Sequence, residues 1–371
     1  MRRKFLPIAA PLLALTLLAA ACGDDATEET SSTAAPGAST DGDSGEACPG
    51  VAGCIPAGQP DVNGDGTVKI GVMSPGDTND NGYYESFVVT ARDFADANDW
   101  ELIIVDKVKT ADAAQTARDL CRQGVDMVAL GAGELQDALP VAEEEICAES
   151  VWYMSGGAGV PPTPYFFQTN DDVSMTSFVA GYATGLAMEE LGLDKAGFIS
   201  GPEADFSVKA FEAWTAGIRK TIPDAETVAT YTGDFNDAAK GQEAATAQLS
   251  QGVGILWPYL GGATDAVVKV GAEEGALSVT PGTDRCADAD FGISNIFSPG
   301  EFFAAALKDF EAGAIKIGVA RTFVIGKDDV PRIKVCDAVP TATEIQTKTD
   351  AFAKQVGSGE IDAMAEIAEL K

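Results

Sequence analysis

From Thr67 onward the chain alternates short, nearly unbroken apolar runs with longer stretches of helical period, and this alternation restricts the fold more than any other feature of the sequence. VKIGVM (68–73) ends in the polar, Gly-rich SPGDTNDNG, and a helix over about 84–98 follows, with Phe87, Ala91, Phe94 and Ala95 on one face. WELIIVD (100–106), DMVALG (126–131), VWYMSG (151–156) and YFFQTN (165–170) read as further strands, with helices expected near 111–123 and 136–148. The alternation then restarts. Helices near 172–191, 206–221, 237–251 and 263–274 are interleaved with strands AGFISG (196–201), TVATYTG (227–233), GILWPY (254–259) and ALSVTPGTD (276–284). Strands this apolar, separated by helices, belong to parallel sheets covered on both faces. The expected fold class is α/β, with two doubly wound parallel-sheet lobes, a hinge and a central ligand cleft. The first lobe is placed at 67–170 and the second at 171–289. GISNIF (292–297), a helix near 299–312 and a strand-rich tail follow, so 290–320 is expected to return to the first lobe and 321–371 to cross back, with a last helix near 343–356. In such folds ligands collect at the carboxyl ends of the strands.

The N-terminus is an address. Arg2, Arg3 and Lys4 precede an apolar run from Phe5 to Leu18, which is too short to remain as a membrane span and leads to small residues before Cys22. Residues 1–21 therefore read as a signal peptide. LAAAC (18–22) resembles a bacterial lipobox, which implies cleavage before Cys22 and lipidation of its thiol; plain secretion with cleavage near Ala21 is the alternative. Residues 22–66 are small, polar, acidic and rich in Pro and Gly, with little to bury, and read as a disordered tether.

The formal net charge is −32, from 25 Lys and Arg against 57 Asp and Glu. That field repels nucleic acid and anionic lipid headgroups, so no nucleic-acid partner is expected. The chain contains no His, which removes the usual Ser-His and Cys-His nucleophile pairs, the commonest general base and most zinc sites.

Of seven cysteines, Cys22 is assigned to lipid, leaving Cys48, Cys54, Cys121, Cys147, Cys286 and Cys336. Six thiols in an oxidising compartment are expected to form three disulfides, and sequential pairing is favoured. Cys48 and Cys54 would close a short loop in the tether, while Cys121 and Cys147 each end a helix before a strand and so meet at one sheet edge. No C-x-x-C spacing supports a metal site. DVNGDGTV (61–68) has the opening of a calcium loop in Asp61, Asn63 and Asp65, but the twelfth position is Val72, inside the first strand, where that loop needs a side-on carboxylate. The stretch reads as a polar lead-in, with a partial cation site as the alternative; no metal and no cofactor are expected.

With a lipoprotein signal, a tether and two doubly wound lobes, the chain resembles bacterial extracytoplasmic solute-binding proteins. Within them it is similar to the basic-membrane-protein family, whose best understood members bind purine nucleosides. Three segments carry the resemblance over about residues 67–357: SPGDTNDNGYYESF (74–87), where Asp80, Gly82 and Tyr83 match the family's Asp-x-Gly-Trp form; the crossover at 170–201, with Asn170, Phe178, Gly181, Gly185, Gly197 and Gly201; and 231–284, from YTGDFNDAAKG to VTPGTD. The resemblance implies that Tyr83 stacks on a flat ring, that Asp80 or Asn79 bonds its edge, that Phe235 is the second stacking aromatic and that Asp284 takes ribose hydroxyls. Tyr84 stands where the family often has Asn, and SNIFSPG (294–300) lacks the family's frequent Lys.

Each candidate also has an ordinary role. Asn79 and Asp80 can cap the following helix, as can Asp137 after its Gly-rich turn, and Phe235 can be core. Tyr259 ends a strand at the expected cleft. The expected function is that of an extracytoplasmic, lipid-anchored, monomeric binding protein, not an enzyme, that delivers a small nucleoside-like solute to an ABC permease. A sensor subunit of the same fold and an extracellular nucleoside hydrolase are the alternatives.

Overall fold

A computed structural model describes residues 57–157, 160–161 and 163–371. The signal segment, Cys22 and the Cys48 and Cys54 positions lie outside the described residues. In the first sheet, strands β1 (Lys69–Met73), β2 (Glu101–Val105), β3 (Met127–Leu130), β4 (Val151–Ser155), β5 (Phe166–Asp171) and β11 (Ala320–Phe323) take the order β11-β5-β4-β3-β1-β2, and all pairings are parallel. Alternate residues feed opposite faces. Met127, Ala129, Val151 and Tyr153 join one core layer, while Val128, Leu130, Trp152 and Met154 join the other. This is why the strands read as continuous apolar runs: both faces are covered, so neither phase of the pleat meets water. The first layer is closed by α1 (Tyr83–Asn98) and α7 (Pro299–Glu311), where Phe303 stacks on Phe87 at 4.2 Å and on Tyr153 at 4.8 Å. The second is closed by α2 (Ala113–Arg122) and 3-10 turns.

The second sheet contains β6 (Lys195–Ser200), β7 (Glu226–Tyr231), β8 (Ile255–Tyr259), β9 (Leu277–Pro281), β10 (Phe291–Ile296) and β12 (Arg332–Val335), in the order β12-β10-β9-β8-β6-β7. Only β12 is antiparallel to its neighbour. Helices α3 (Val173–Leu191), α4 (Asp205–Arg219), α8 (Ala342–Ser358) and α9 (Ala363–Leu370) cover one face, and α5 (Ala238–Leu249) with α6 (Thr264–Glu273) covers the other. α3 is apolar nearly all round because it is wrapped by α4, α8, α9 and the sheet. Its start is fixed by Asp172, whose carboxylate accepts from the Met175 N–H at 3.0 Å.

The structure departs from the sequence reading in four places. The helix expected near 136–148 is 3-10 geometry, Gly133–Glu143 and then Glu145–Cys147. Pro140 lies inside it; it lacks the N–H an α-helix needs, and in an α-helix its ring would clash with the carbonyl four residues back. GISNIF, placed in the returning segment, is β10 and pairs in parallel with β9, so the chain re-enters the first lobe only with α7. The crossing back follows Phe323 rather than residue 320, because β11 pairs with β5. Finally, α9 lies beyond the helix expected to be last; it is short and seats Ala363 and Ile367 against the α3–α4 layer.

Disulfides join Cys121 to Cys147 and Cys286 to Cys336, the expected sequential pairs. The 61–68 stretch is a compact turn. Both carboxylate oxygens of Asp61 accept backbone N–H groups, from Gly64 at 2.7 Å and Gly66 at 2.8 Å. Buried Asp126 accepts from the N–H groups of Val62, Asn63 and Lys69, which clamps this lead-in to the head of β1.

Candidate ligand-binding cleft

The carboxyl ends of the strands converge on a cavity of about 380 Å³. From the first lobe come Tyr83 and Tyr84 at the start of α1, Glu134 after β3, Gly156 and Gly157 after β4, and Asn170 and Asp171 at the end of β5. From the second come Phe206 at the start of α4, Phe235 after β7, Tyr259 at the end of β8 and Pro281 at the end of β9, with Phe297 just past β10.

Local geometry sets the aromatic groups. Phe235 lies over Gly201, where a Cβ would come within 2.7 Å of its ring, and it stacks on Phe206 with centroids 6.1 Å apart. Its loop is pinned to the end of β8, since the Phe235 carbonyl accepts from Gly261 N–H at 3.0 Å and Asn236 Oδ1 accepts from Gly262 N–H at 2.8 Å. Phe297 bridges the two lobes, 6.2 Å from Tyr83 and 5.9 Å from Tyr259. The Tyr84 hydroxyl donates to Glu134 Oε1 at 2.9 Å, and its ring approaches Gly261 across the cleft. At the rim, Arg285 donates to Asp265 at 2.7 Å, and Asn81 of the first lobe reaches the same carboxylate at 3.4 Å.

The electrostatics are one-sided. Glu134, Asp171 and Asp205 line the cavity, and among the described residues no Lys or Arg does. Burial pushes the Glu134 carboxyl up, and burial raises Asp171 to about 6. The hydroxyls of Tyr83 and Tyr84 are pushed well above the usual phenol range, by burial first and then by Glu134. Tyr259 is raised by burial, then by Asp171 and Glu134. Phenols from both lobes thus stay neutral beside these carboxylates, and that of Tyr84 donates to Glu134.

Of the residues singled out from sequence, Tyr83, Tyr84, Phe235 and Tyr259 line the cavity. Asp80 does not. Its carboxylate accepts from the N–H groups of Gly82, Tyr84 and Glu85 and so organises the start of α1. Asn79 is exposed and bonds Asp77. Asp137 is exposed on the 3-10 segment. Asp284 is exposed as well, held by Lys334 Nζ at 2.6 Å and accepting from Cys286 N–H at 3.0 Å. Sequence reasoning passed over Glu134, Asp171, Phe206 and Phe297. The available signal for Asp171 was its place at the end of an apolar strand, and for Glu134 its place just after a Gly-rich strand end.

Two α/β lobes joined by repeated crossings, with a cavity at the facing strand ends, define a type 1 periplasmic-binding-protein fold. The family model of PnrA-like ABC-transporter substrate-binding proteins, Bmp, matches residues 67–290, more than half of the chain, and the protein belongs to this family. A solute-binding protein of an ABC transporter system from Conexibacter woesei is 23% identical and superposes with a TM-score of 0.58, covering 80% of this chain and 98% of that one. One from Aeropyrum pernix is 16% identical with a TM-score of 0.64, covering 82% and 90%. The CD4+ T-cell-stimulating antigen of Listeria monocytogenes is 32% identical over 102 residues, 27% of this chain; the match spans about a quarter of that relative, 26%. Among the described residues no helix is long and apolar enough to cross a membrane.

Proposed function

We propose that this ABC-transporter substrate-binding protein captures a purine-nucleoside-like solute outside the cytoplasm, as a monomer anchored through lipid on Cys22, and presents it to a permease. The observation that carries the reading is the pair of rings, Tyr83 from the first lobe and Phe235 from the second, on the walls of one cavity. A flat base between them buries two apolar faces, and offset stacking of such rings adds about 1 kcal/mol beyond the area effect. Neutral phenols and carboxylates around the edge suit a solute rich in N–H and O–H groups, since hydrogen bonds to an ionised acceptor are the stronger kind. Closing of the lobes is a hinge motion about the chain crossings.

Thermal unfolding of the chain from Cys22 onward, against a panel of nucleosides, bases and sugars, tests this. A ligand present at 100 times its Kd adds about 2.7 kcal/mol to the folded state. Stabilisation by purine nucleosides that disappears in Phe235→Ala is the expected result. Stabilisation by sugars alone, or by no nucleoside, overturns it.

A further inference from the structure

Charge is distributed unevenly around the cleft. Every charged side chain that lines the cavity among the described residues is acidic. The nearby cations are already paired: Lys334 with Asp284 at 2.6 Å, and Arg285 with Asp265 at 2.7 Å and Asp288 at 3.1 Å. Glu134 has a single side-chain hydrogen-bond donor, the Tyr84 hydroxyl, and that donor is neutral. A carboxylate taken from water without a cationic partner is costly. An incoming solute is therefore the available source of positive charge. The walls suit a cation too, because the rings of Tyr83, Phe206, Phe235, Tyr259 and Phe297 border the same space and aromatic faces attract positive charge. A phosphate in that space would meet two carboxylates at low dielectric, where like charges repel strongly.

We propose that Glu134 and Asp171 select the charge of the solute: the cleft takes a planar, nucleoside-like solute in its cationic form in preference to the neutral one, and rejects the phosphorylated form. The nucleoside part of this statement rests on the function proposed above; the charge selection does not. Glu134 stands after β3 and Asp171 at the end of β5, both in the first lobe. The charge filter is therefore already assembled before the second lobe closes its aromatic wall over the solute.

Calorimetric titration of the mature chain at pH 7.5 tests this with three matched probes: adenosine, which is neutral, 1-methyladenosine, which is cationic, and adenosine 5′-monophosphate, which is anionic. The expected result is 1-methyladenosine at least tenfold tighter than adenosine and the monophosphate at least tenfold weaker. In Glu134→Gln/Asp171→Asn the ratio of cation to neutral affinity should fall below threefold; the single Asp171→Asn variant, which should lie between, serves if the double variant does not fold. Adenosine binding with no charge preference, or a preference unchanged in these variants, overturns the charge selection and leaves the nucleoside reading standing. A second pair without ribose, 1-methylnicotinamide against nicotinamide, separates the two ideas. If no nucleoside binds but the methylated cation binds over its neutral parent, the charge selection stands and the nucleoside reading fails. If none of the probes binds, both fail.

Discussion

The Tyr84 hydroxyl donates to Glu134 at 2.9 Å while the ring of the same tyrosine lies against Gly261 of the opposite lobe. One side chain thereby holds a cavity-facing carboxylate and forms part of the seam between the lobes. Removing the hydroxyl separates these roles. Tyr84→Phe keeps the ring and leaves the half-buried Glu134 without its side-chain donor, a loss of about 1 kcal/mol for a hydrogen bond to a carboxylate that opens onto the cavity. Urea unfolding of the ligand-free protein should show the unfolding free energy falling by that amount, through a lower midpoint at an unchanged m-value.

The seam itself is tested at Gly261. A Cβ there would stand 2.6 Å from Tyr84 Cε2, closer than real carbon contacts allow. Gly261→Ala should hold the lobes apart and weaken solute binding by tenfold or more. The closest approach is to the other lobe, and the second, to Asn236 Oδ1 at 2.9 Å, is to a side-chain end in the same lobe, so the stability of the ligand-free protein should fall by less than the loss in binding. Equal losses in binding and in stability would place the clash within one lobe instead.

The bond between Cys121 and Cys147 closes a loop with a sequence separation of 26. Loop-closure entropy for that length corresponds to about 3.5 kcal/mol. Cys121→Ser/Cys147→Ser should lose roughly that in denaturant unfolding. A reducing agent should destabilise the parent protein and leave this bond's contribution absent in the variant.

Asp171 gives the ligand-free protein a pH dependence with a definite sign. Its folded-state value is about 6 against an ordinary 3.8, raised by burial. Between these values the folded chain keeps a proton that the unfolded chain releases, so stability falls as pH rises from about 4 to 6 and levels off above. Asp126, also raised to about 6 by burial, acts in the same direction, so the informative quantity is the difference between parent and variant. Asp171→Asn should be more stable than the parent by roughly 1–2 kcal/mol at pH 7.5, a value reduced from full desolvation because the carboxylate opens onto the cavity. At pH 4 the two should coincide.

Much of the architecture was legible because its cause is local. A strand buried on both faces must be apolar at every position, and the runs around Val128 and Tyr153 showed that without any knowledge of their neighbours. Cys121 and Cys147 were legible as a pair for the same reason, each lying just before a strand of one sheet. Pro140 marks the one segment where a helix expected from the strand–helix alternation gives way to 3-10 geometry. The cleft was legible only through its aromatic groups. Asp284 has the look of a site carboxylate at a strand end, but Lys334 arrives on β12, an antiparallel strand far along the chain, and draws it outward. Asp80 spends its oxygens on three backbone donors of its own helix. The acids that do face the cavity, Glu134 and Asp171, are ordinary in sequence; only the packing of distant tyrosines around them sets them apart.

The bond between Cys286 and Cys336 has a topological effect. Between these cysteines the chain leaves the second sheet, builds α7 and β11 against the first, and returns to form β12. The later two crossings between lobes therefore lie on a covalently closed ring. A protease that nicks the backbone once anywhere on that ring, at the hinge included, cuts no piece free, and both lobes stay on one molecule until the bond is reduced.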